Sequence, residues 1–221
     1  MQELAPGVFQ LAGRPRHAIN IYLAGDVLID AGTRHARRRI LRQVAGRSLS
    51  AHALTHAHPD HQGASHAVCS ELGIPLWCGE ADADAMQTPG GIGTLQAPGT
   101  INRLQQRFWT GPPHPVARRL REGDTVAGFD VLEVPGHSPG HVAYWRVGDR
   151  TLILGDVLNN VDPRTGRVGL REPLATFTPD PARNRESIRR LAALDPALCC
   201  FGHGPPLRDA ALLKRFAGGL A

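Results

Sequence analysis

Apolar positions in this chain come in short runs broken by glycine and aspartate, a pattern of strands joined by tight turns. Residues 20–23, a Gly25-Asp26 turn and residues 27–30 predict a β-hairpin that ends on Asp30. Residues 33–45 predict a helix: Thr33 is a capping residue, Ile40, Leu41 and Val44 form an apolar stripe, and Gly46 stops it. An apolar strand over 51–54 then runs into Thr55-His56. The second half repeats the order. Residues 142–147, a Gly148-Asp149 turn and residues 151–154 predict another hairpin, ending at Gly155-Asp156. Asp180 and Pro181 open a helix that carries Ile188, Leu191 and Leu194 on one face, and a strand over 197–201 leads into Gly202-His203. Each half runs hairpin, aspartate, helix, strand, histidine, which predicts two related β-rich halves with helices on their outer faces.

Two stretches lack this regularity. Residues 88–115 are dense in Gly and Pro and carry Phe108 and Trp109, and residues 159–179 carry Phe177. Both are expected to be long connections or lids over a site. Neither separates independent units, because each half alone would leave a sheet face uncovered. Residues 1–221 are therefore expected to form one domain. No apolar run approaches the roughly 20 residues that span a bilayer. The first ten residues, with Glu3 and Pro6-Gly7, do not form a signal peptide pattern.

Composition sharpens the picture at two points. The four cysteines (Cys69, Cys78, Cys199 and Cys200) are too few and scattered for a disulfide scaffold, and the adjacent pair suits neither a bridge nor a zinc knuckle. They are expected to act as small buried hydrophobes, with the cytoplasm as the default location. The net charge of +5 raises the possibility of an anionic partner. Yet the densest cluster, Arg34, Arg37, Arg38 and Arg39, lies mostly on the solvated face of the helix expected there, and the excess of Arg over the single Lys214 runs along the whole chain. Nucleic acid and membrane are thus not expected as partners; a small molecule is.

The chemistry concentrates in Thr55-His56-Ala57-His58-Pro59-Asp60-His61, directly after an apolar strand. His56 and His58, two apart, share a side only in extended chain, and Pro59 disfavours helix at His58. The following turn can bring Asp60 and His61 to a second, nearby point. His137 (in Pro135-Gly136-His137-Ser138-Pro139-Gly140-His141), Asp156 and His203 each follow an apolar strand in the same way. Seven oxygen and nitrogen donors exceed the needs of one four-coordinate ion. The absence of thiolate suits zinc and leaves iron or manganese open.

This order, H-x-H-x-D-H followed by a lone His, a lone Asp and a final His, resembles the metallo-β-lactamase superfamily of metal-dependent hydrolases, over residues 5 to 210. The resemblance implies an α/β fold, the αββα four-layer sandwich, with metals at the edge between its sheets. It implies that His56, His58 and His137 hold one ion, that Asp60, His61 and His203 hold a second, and that Asp156 bridges them. Asp30 would brace the metal loop from behind rather than ligate, and His141 would brace a loop. His17, His35, His52, His66 and His114 have no such context and are expected to be solvated or structural.

Two adjacent divalent ions lower the pKa of a shared water, so the expected nucleophile is a bridging hydroxide, with Asp60 also able to accept or relay the proton. The resemblance is nearest to small glyoxalase II-like and lactonase-like members, which implies hydrolysis of a thioester, lactone or other carboxylic ester. The chain ends about 18 residues after His203, which leaves no room for the C-terminal helical portion of a true glyoxalase II. The alternative is a nuclease-like, nucleic-acid-processing member of the same superfamily.

Overall fold

The computed structural model describes residues 1–220. Seven strands, β1 (Gln2–Ala5), β2 (Val8–Gln10), β3 (Tyr22–Ala24), β4 (Val27–Ile29), β5 (Ala51–Ala53), β6 (Leu76–Gly79) and β7 (Val116–Leu120), form one sheet in chain order. The first four strands meander antiparallel, and β4 to β7 run parallel. Parallel neighbours require crossovers, and helices supply them. These are α1 (Arg37–Val44) between β4 and β5, α2 (Pro59–Gln62) and α3 (Ser65–Leu72) between β5 and β6, and α4 (Glu80–Gln87) and α5 (Thr100–Trp109) between β6 and β7.

The second sheet contains β8 (Thr125–Val126), β9 (Phe129–Glu133), β10 (Val142–Arg146) and β11 (Thr151–Gly155). A short pair, β12 (Asn159–Val161) and β13 (Val168–Arg171), precedes α6 (Pro181–Ala193), and β14 (Leu198–Phe201) then adds parallel to β11. The five-stranded order is β14-β11-β10-β9-β8, and α7 (Ala210–Gly218) closes the described chain.

Alternation along the strands explains the layering. Tyr22, Val27, Ile29, Ala51 and Ala53 of the first sheet pack against Val131, Val142, Tyr144, Ile153, Leu198 and Cys200 of the second. The intervening residues face outward onto helices. Leu23 and Leu28 meet Ile40 and Val44 of α1 and Val68 of α3. On the opposite side, Trp145, Leu152, Leu154 and Phe201 meet Ile188 and Leu191 of α6 and Leu213 of α7. The result is the expected αββα sandwich. Two inner-core tyrosines tie it together reciprocally. Tyr22 of the first sheet donates its hydroxyl to Phe201 O in the second, at 2.6 Å, and Tyr144 of the second donates to Leu54 O beside the first, also at 2.6 Å. Both acceptors lie at the ends of strands that lead into histidines of the motif.

Both hairpins form as expected, with Tyr22 opposite Ile29 and Tyr144 opposite Ile153. The late helix starts at Pro181, and Asp180 caps it by accepting from Arg183 N at 3.0 Å. The first helix differs from expectation. Thr33 makes no side-chain cap; its carbonyl instead accepts from Ala36 N in a 3-10 turn (Arg34–Ala36), and α1 begins only at Arg37. The two irregular stretches also contain regular structure. Residues 88–115 hold a 3-10 segment (Gly91–Leu95) and α5, and residues 159–179 hold the β12–β13 pair and a 3-10 turn (Ala175–Phe177). Helix α5 escapes the periodicity because its orientation is inverted. Asn102 is buried, donating to Ala97 O and Thr176 O, whereas Ile101, Leu104 and Phe108 are exposed. The four cysteines are free and buried.

His52 shows how the outer layer handles a polar group. It lies fully buried between Ala51 and Ala53, and faces away from both toward the helices. Its Nδ1–H donates to Leu28 O at 3.0 Å, and the Ser65 hydroxyl donates to its Nε2 at 2.8 Å, so both ring nitrogens are satisfied by the neutral form. Burial pushes its pKa down to about 4, despite the Leu28 carbonyl. The unfolded chain gains this proton near pH 6.5 and the folded chain only near 4. Stability is therefore full above pH 6.5 and falls as pH drops through that window. The expected loss is about 3 kcal/mol. Urea unfolding of wild type and His52→Gln checks this: the wild-type advantage should shrink by that amount between pH 7 and pH 4. An advantage independent of pH contradicts the assignment.

Candidate metal centre

The candidate donors converge at one edge of the sandwich because parallel strands deliver them from the same end. Asp30 follows β4, and its N–H donates to Ala53 O of β5 at 2.9 Å. Thr55-His56 follows β5, and Thr55 O accepts from Val142 N of the other sheet at 2.8 Å, which stitches the edges together. Asp156 follows β11, and Gly202-His203 follows β14, where Gly202 N donates to Gly155 O at 2.8 Å. His58 is extended (φ −73°, ψ 158°), and Pro59 starts the single turn of α2 that swings Asp60 and His61 round.

Three overlapping groups result: His56, His58 and His137; His56, His61 and Asp156; and Asp60, His61 and His203. Within each, one donor atom per residue lies within 4.8 Å of the others. All seven candidate donors thus gather in one cluster, and Asp156 lies between the ends of it. His61 Nε2 is 3.5 Å from Asp156 Oδ1, and His203 Nε2 is 3.0 Å from Asp156 Oδ2.

Each histidine of the cluster has its outward nitrogen held, which fixes the ring orientation. Asp30 Oδ2 lies 2.9 Å from His61 Nδ1, and the Thr55 hydroxyl lies 3.1 Å from His56 Nδ1. Leu95 O is 3.3 Å from His58 Nε2, Thr178 Oγ1 is 3.1 Å from His137 Nδ1, and Ala18 O accepts from His203 Nδ1. Asp30 itself is 1% exposed and also accepts from Thr55 N at 2.8 Å. His141 Nε2 accepts from Asp156 N at 3.1 Å, and its ring stacks on His56 at 4.6 Å. Three of these partners, Ala18, Leu95 and Thr178, have no signal in the sequence. Two are backbone carbonyls, and Thr178 becomes a partner only because residues 159–179 fold over the site.

The inward atoms differ sharply. His56 Nε2, His61 Nε2 and Asp156 Oδ1 are buried without any hydrogen-bond partner. Buried polar atoms are nearly always paired, so unpaired nitrogen and oxygen atoms converging on one point are the mark of a cation-binding site. Gly202 supports this, because a Cβ there would overlap Asp156 Oδ1 and crowd the His61 ring. The donor set, all imidazole and carboxylate, suits a divalent transition ion. The cluster also has an open side. The side chains of Asp60 and His203 are 15% and 19% exposed, whereas those of His61 and His137 are at most 2% exposed. Access is therefore past Asp60 and His203.

The electrostatics of the cluster divide its histidines into two kinds. Burial disfavours charge on His61, but Asp156 and Asp30 outweigh it and push its pKa up to about 10. Burial is likewise outweighed at His203, where Asp156 and Asp60 hold the pKa well above the usual imidazole value. His56 and His137 go the other way, lowered first by burial and then by neighbouring imidazoles. Asp60 stays ionised: burial opposes this, but His203 and His61 bring its pKa down to about 2. An imidazolium cannot ligate, so divalent-ion uptake at pH 7.5 should release on the order of two protons per chain. Calorimetric titration in buffers of different ionisation enthalpy measures this number. Uptake with no proton release contradicts the electrostatics described.

The remaining histidines lie elsewhere. His52 is structural, His17 Nδ1 is 3.1 Å from Gln10 Nε2, His66 and His114 pair at 3.3 Å, and His35 is exposed beside Phe108 O.

Known proteins share this framework. The family model described as the metallo-beta-lactamase superfamily matches residues 14–203. A probable metallo-hydrolase of Bacillus subtilis, YflN, is 29% identical, with the alignment covering 93% of this chain and 86% of that protein. A hydroxyacylglutathione hydrolase of Xanthomonas campestris is 36% identical over 51% of this chain and 45% of its own length. Among solved structures, TTHA1623 in a di-iron-bound form superposes with a TM-score of 0.66 at 32% identity, covering 96% of this chain and 95% of that one. The match spans every donor from His56 to His203, and no helix among the described residues is long and apolar enough to cross a membrane. The chain belongs to the metallo-β-lactamase superfamily, and its histidine and aspartate cluster is that of a metal-dependent hydrolase.

Proposed function

We propose that the protein is a dinuclear metal-dependent hydrolase acting on a thioester, lactone or other carboxylic ester. The observation that carries this is the set of unpaired inward atoms on His56, His61 and Asp156, surrounded by rings whose outward nitrogens are all held. His56, His58 and His137 would hold one ion, Asp60, His61 and His203 the other, and Asp156 would be shared between them. When bound, such ions supply Lewis acidity that activates water and polarises a carbonyl. The donor chemistry fits zinc, and the di-iron form of TTHA1623 makes iron the next candidate.

The chain's own residues then have distinct tasks. Asp30, Thr55, Leu95, Thr178 and Ala18 hold the imidazoles in fixed tautomers, so no reorganisation is needed during turnover. Asp60, ionised and on the open side, is placed to take up a proton at its carboxylate and pass it to the leaving group. Burial of His56, His58 and His137 excludes bulk water from the deep side. The substrate class draws support from the hydroxyacylglutathione hydrolase relatives, whose named substrate is a thioester.

His58→Ala is expected to abolish turnover on a thioester and lactone panel and to lower bound metal. Its metal-free form should unfold within a few degrees of metal-free wild type. Metal analysis, circular dichroism and the panel, run on one preparation, test this. A fully active His58→Ala protein contradicts the proposal. Turnover confined to phosphodiesters, with salt-sensitive nucleic-acid affinity, contradicts the ester assignment and favours nuclease chemistry.

A further inference from the structure

A second buried carboxylate stands behind the cluster and ligates nothing. Asp82, in the first turn of α4, is 0% exposed. Its Oδ2 accepts from Ala57 N at 3.0 Å and from the Ser138 hydroxyl at 2.6 Å, and its Oδ1 accepts from Gly140 N at 2.7 Å. Ala57 lies between His56 and His58; Ser138 directly follows His137. One carboxylate therefore joins the two loops that carry the first set of histidines, from a helix that belongs to neither. Packing is close enough that a Cβ on Gly140 would collide with the Asp82 backbone nitrogen and crowd its carboxylate.

Asp30 makes the complementary arrangement on the other side. Its bonds go to Thr55 N, the Thr55 hydroxyl and His61 Nδ1, so it orients a ring of the second set directly. Asp82 touches no imidazole. Its bonds fix the separation of the 56–58 and 137–140 loops, which is the dimension that decides whether His56, His58 and His137 can meet at one ion, and its charge also favours the protonated form of His58.

We propose that Asp82 is a positioning residue for the His56, His58 and His137 set alone, and that it tunes this set's affinity for a divalent ion without affecting the set of Asp60, His61 and His203. This rests on the two-ion reading of the site. The bonding pattern makes the carboxylate specific. Each oxygen accepts a backbone N–H, so in Asp82→Asn either orientation of the amide turns its NH2 against one of them. One buried N–H is left unpaired, and the loops must move apart there.

Zinc affinity measured by competition with a chromophoric chelator, in two backgrounds of the full chain, tests this. His203→Ala leaves the first set intact, and His58→Ala leaves the second. Adding Asp82→Asn should weaken zinc binding about 10- to 100-fold in the His203→Ala background. It should leave affinity unchanged in the His58→Ala background. Equal affinity with and without Asp82→Asn in the first background, or equal weakening in both, overturns the proposal. If Asp82→Asn does not fold without metal, Ser138→Ala replaces it: it removes one donor, keeps both backbone bonds, and should weaken only the first background, by several-fold. Equal affinities for Ser138→Ala then overturn the proposal. Wild type that takes up one ion defeats the two-ion reading, while the His203→Ala comparison still judges Asp82. Failure of the His203→Ala protein to bind zinc at all overturns both.

Discussion

Five imidazoles and two carboxylates sit in a partly dry edge between two sheets, each with a nitrogen or oxygen atom turned toward the same small volume. That convergence is the constraint on which the surrounding structure depends. Such an arrangement is unfavourable unless every other polar atom of those side chains is satisfied, because an unpaired group in low dielectric costs the full penalty of desolvation. The fold meets this requirement ring by ring. Asp30 faces His61, Thr55 faces His56, Leu95 O faces His58, Thr178 faces His137 and Ala18 O faces His203. The only buried atoms of His56, His61 and Asp156 without partners are those that face inward.

The sandwich architecture follows from where those partners must stand. Parallel strands β4 and β5 end side by side, which places Asp30 against Thr55. Parallel β11 and β14 do the same for Asp156 and His203 in the other sheet. Tyr22 and Tyr144 then lock each sheet to the carbonyl at the other's strand end. Hydrophobic packing between the sheets supplies the bulk of the driving force, and these few hydrogen bonds set the register in which it acts. Function and fold are therefore coupled at the strand ends, where the inter-sheet core stops and the donors begin.

The legible parts of this arrangement were those written in local pattern. The hairpins at Gly25-Asp26 and Gly148-Asp149, the helix capped by Asp180, and the extended backbone at His58 before Pro59 all carry short-range signals that the structure bears out. The illegible parts depend on contacts distant in sequence. Helix α5 buries Asn102 against Thr176 and exposes Leu104, so its periodicity points away from the core and conceals the helix. Asp82 is an acidic residue in an acidic first turn, and reads as a helix-terminus charge until the fold brings Ser138 and Gly140 to it. Leu95 and Ala18 contribute only backbone carbonyls, which no side-chain motif can encode. The arginine excess is a different case: many of its members are absorbed in surface pairs such as Arg37–Glu71 and Arg190–Glu122, worth little individually.

The central claim is that the seven donors form one centre for two ions that share Asp156. Anomalous diffraction from crystals of the zinc-loaded protein tests this most directly. Two adjacent peaks are predicted, one among His56, His58 and His137 and one among Asp60, His61 and His203, with Asp156 reaching both. A single peak at this edge, or zinc bound only elsewhere on the molecule, would contradict it.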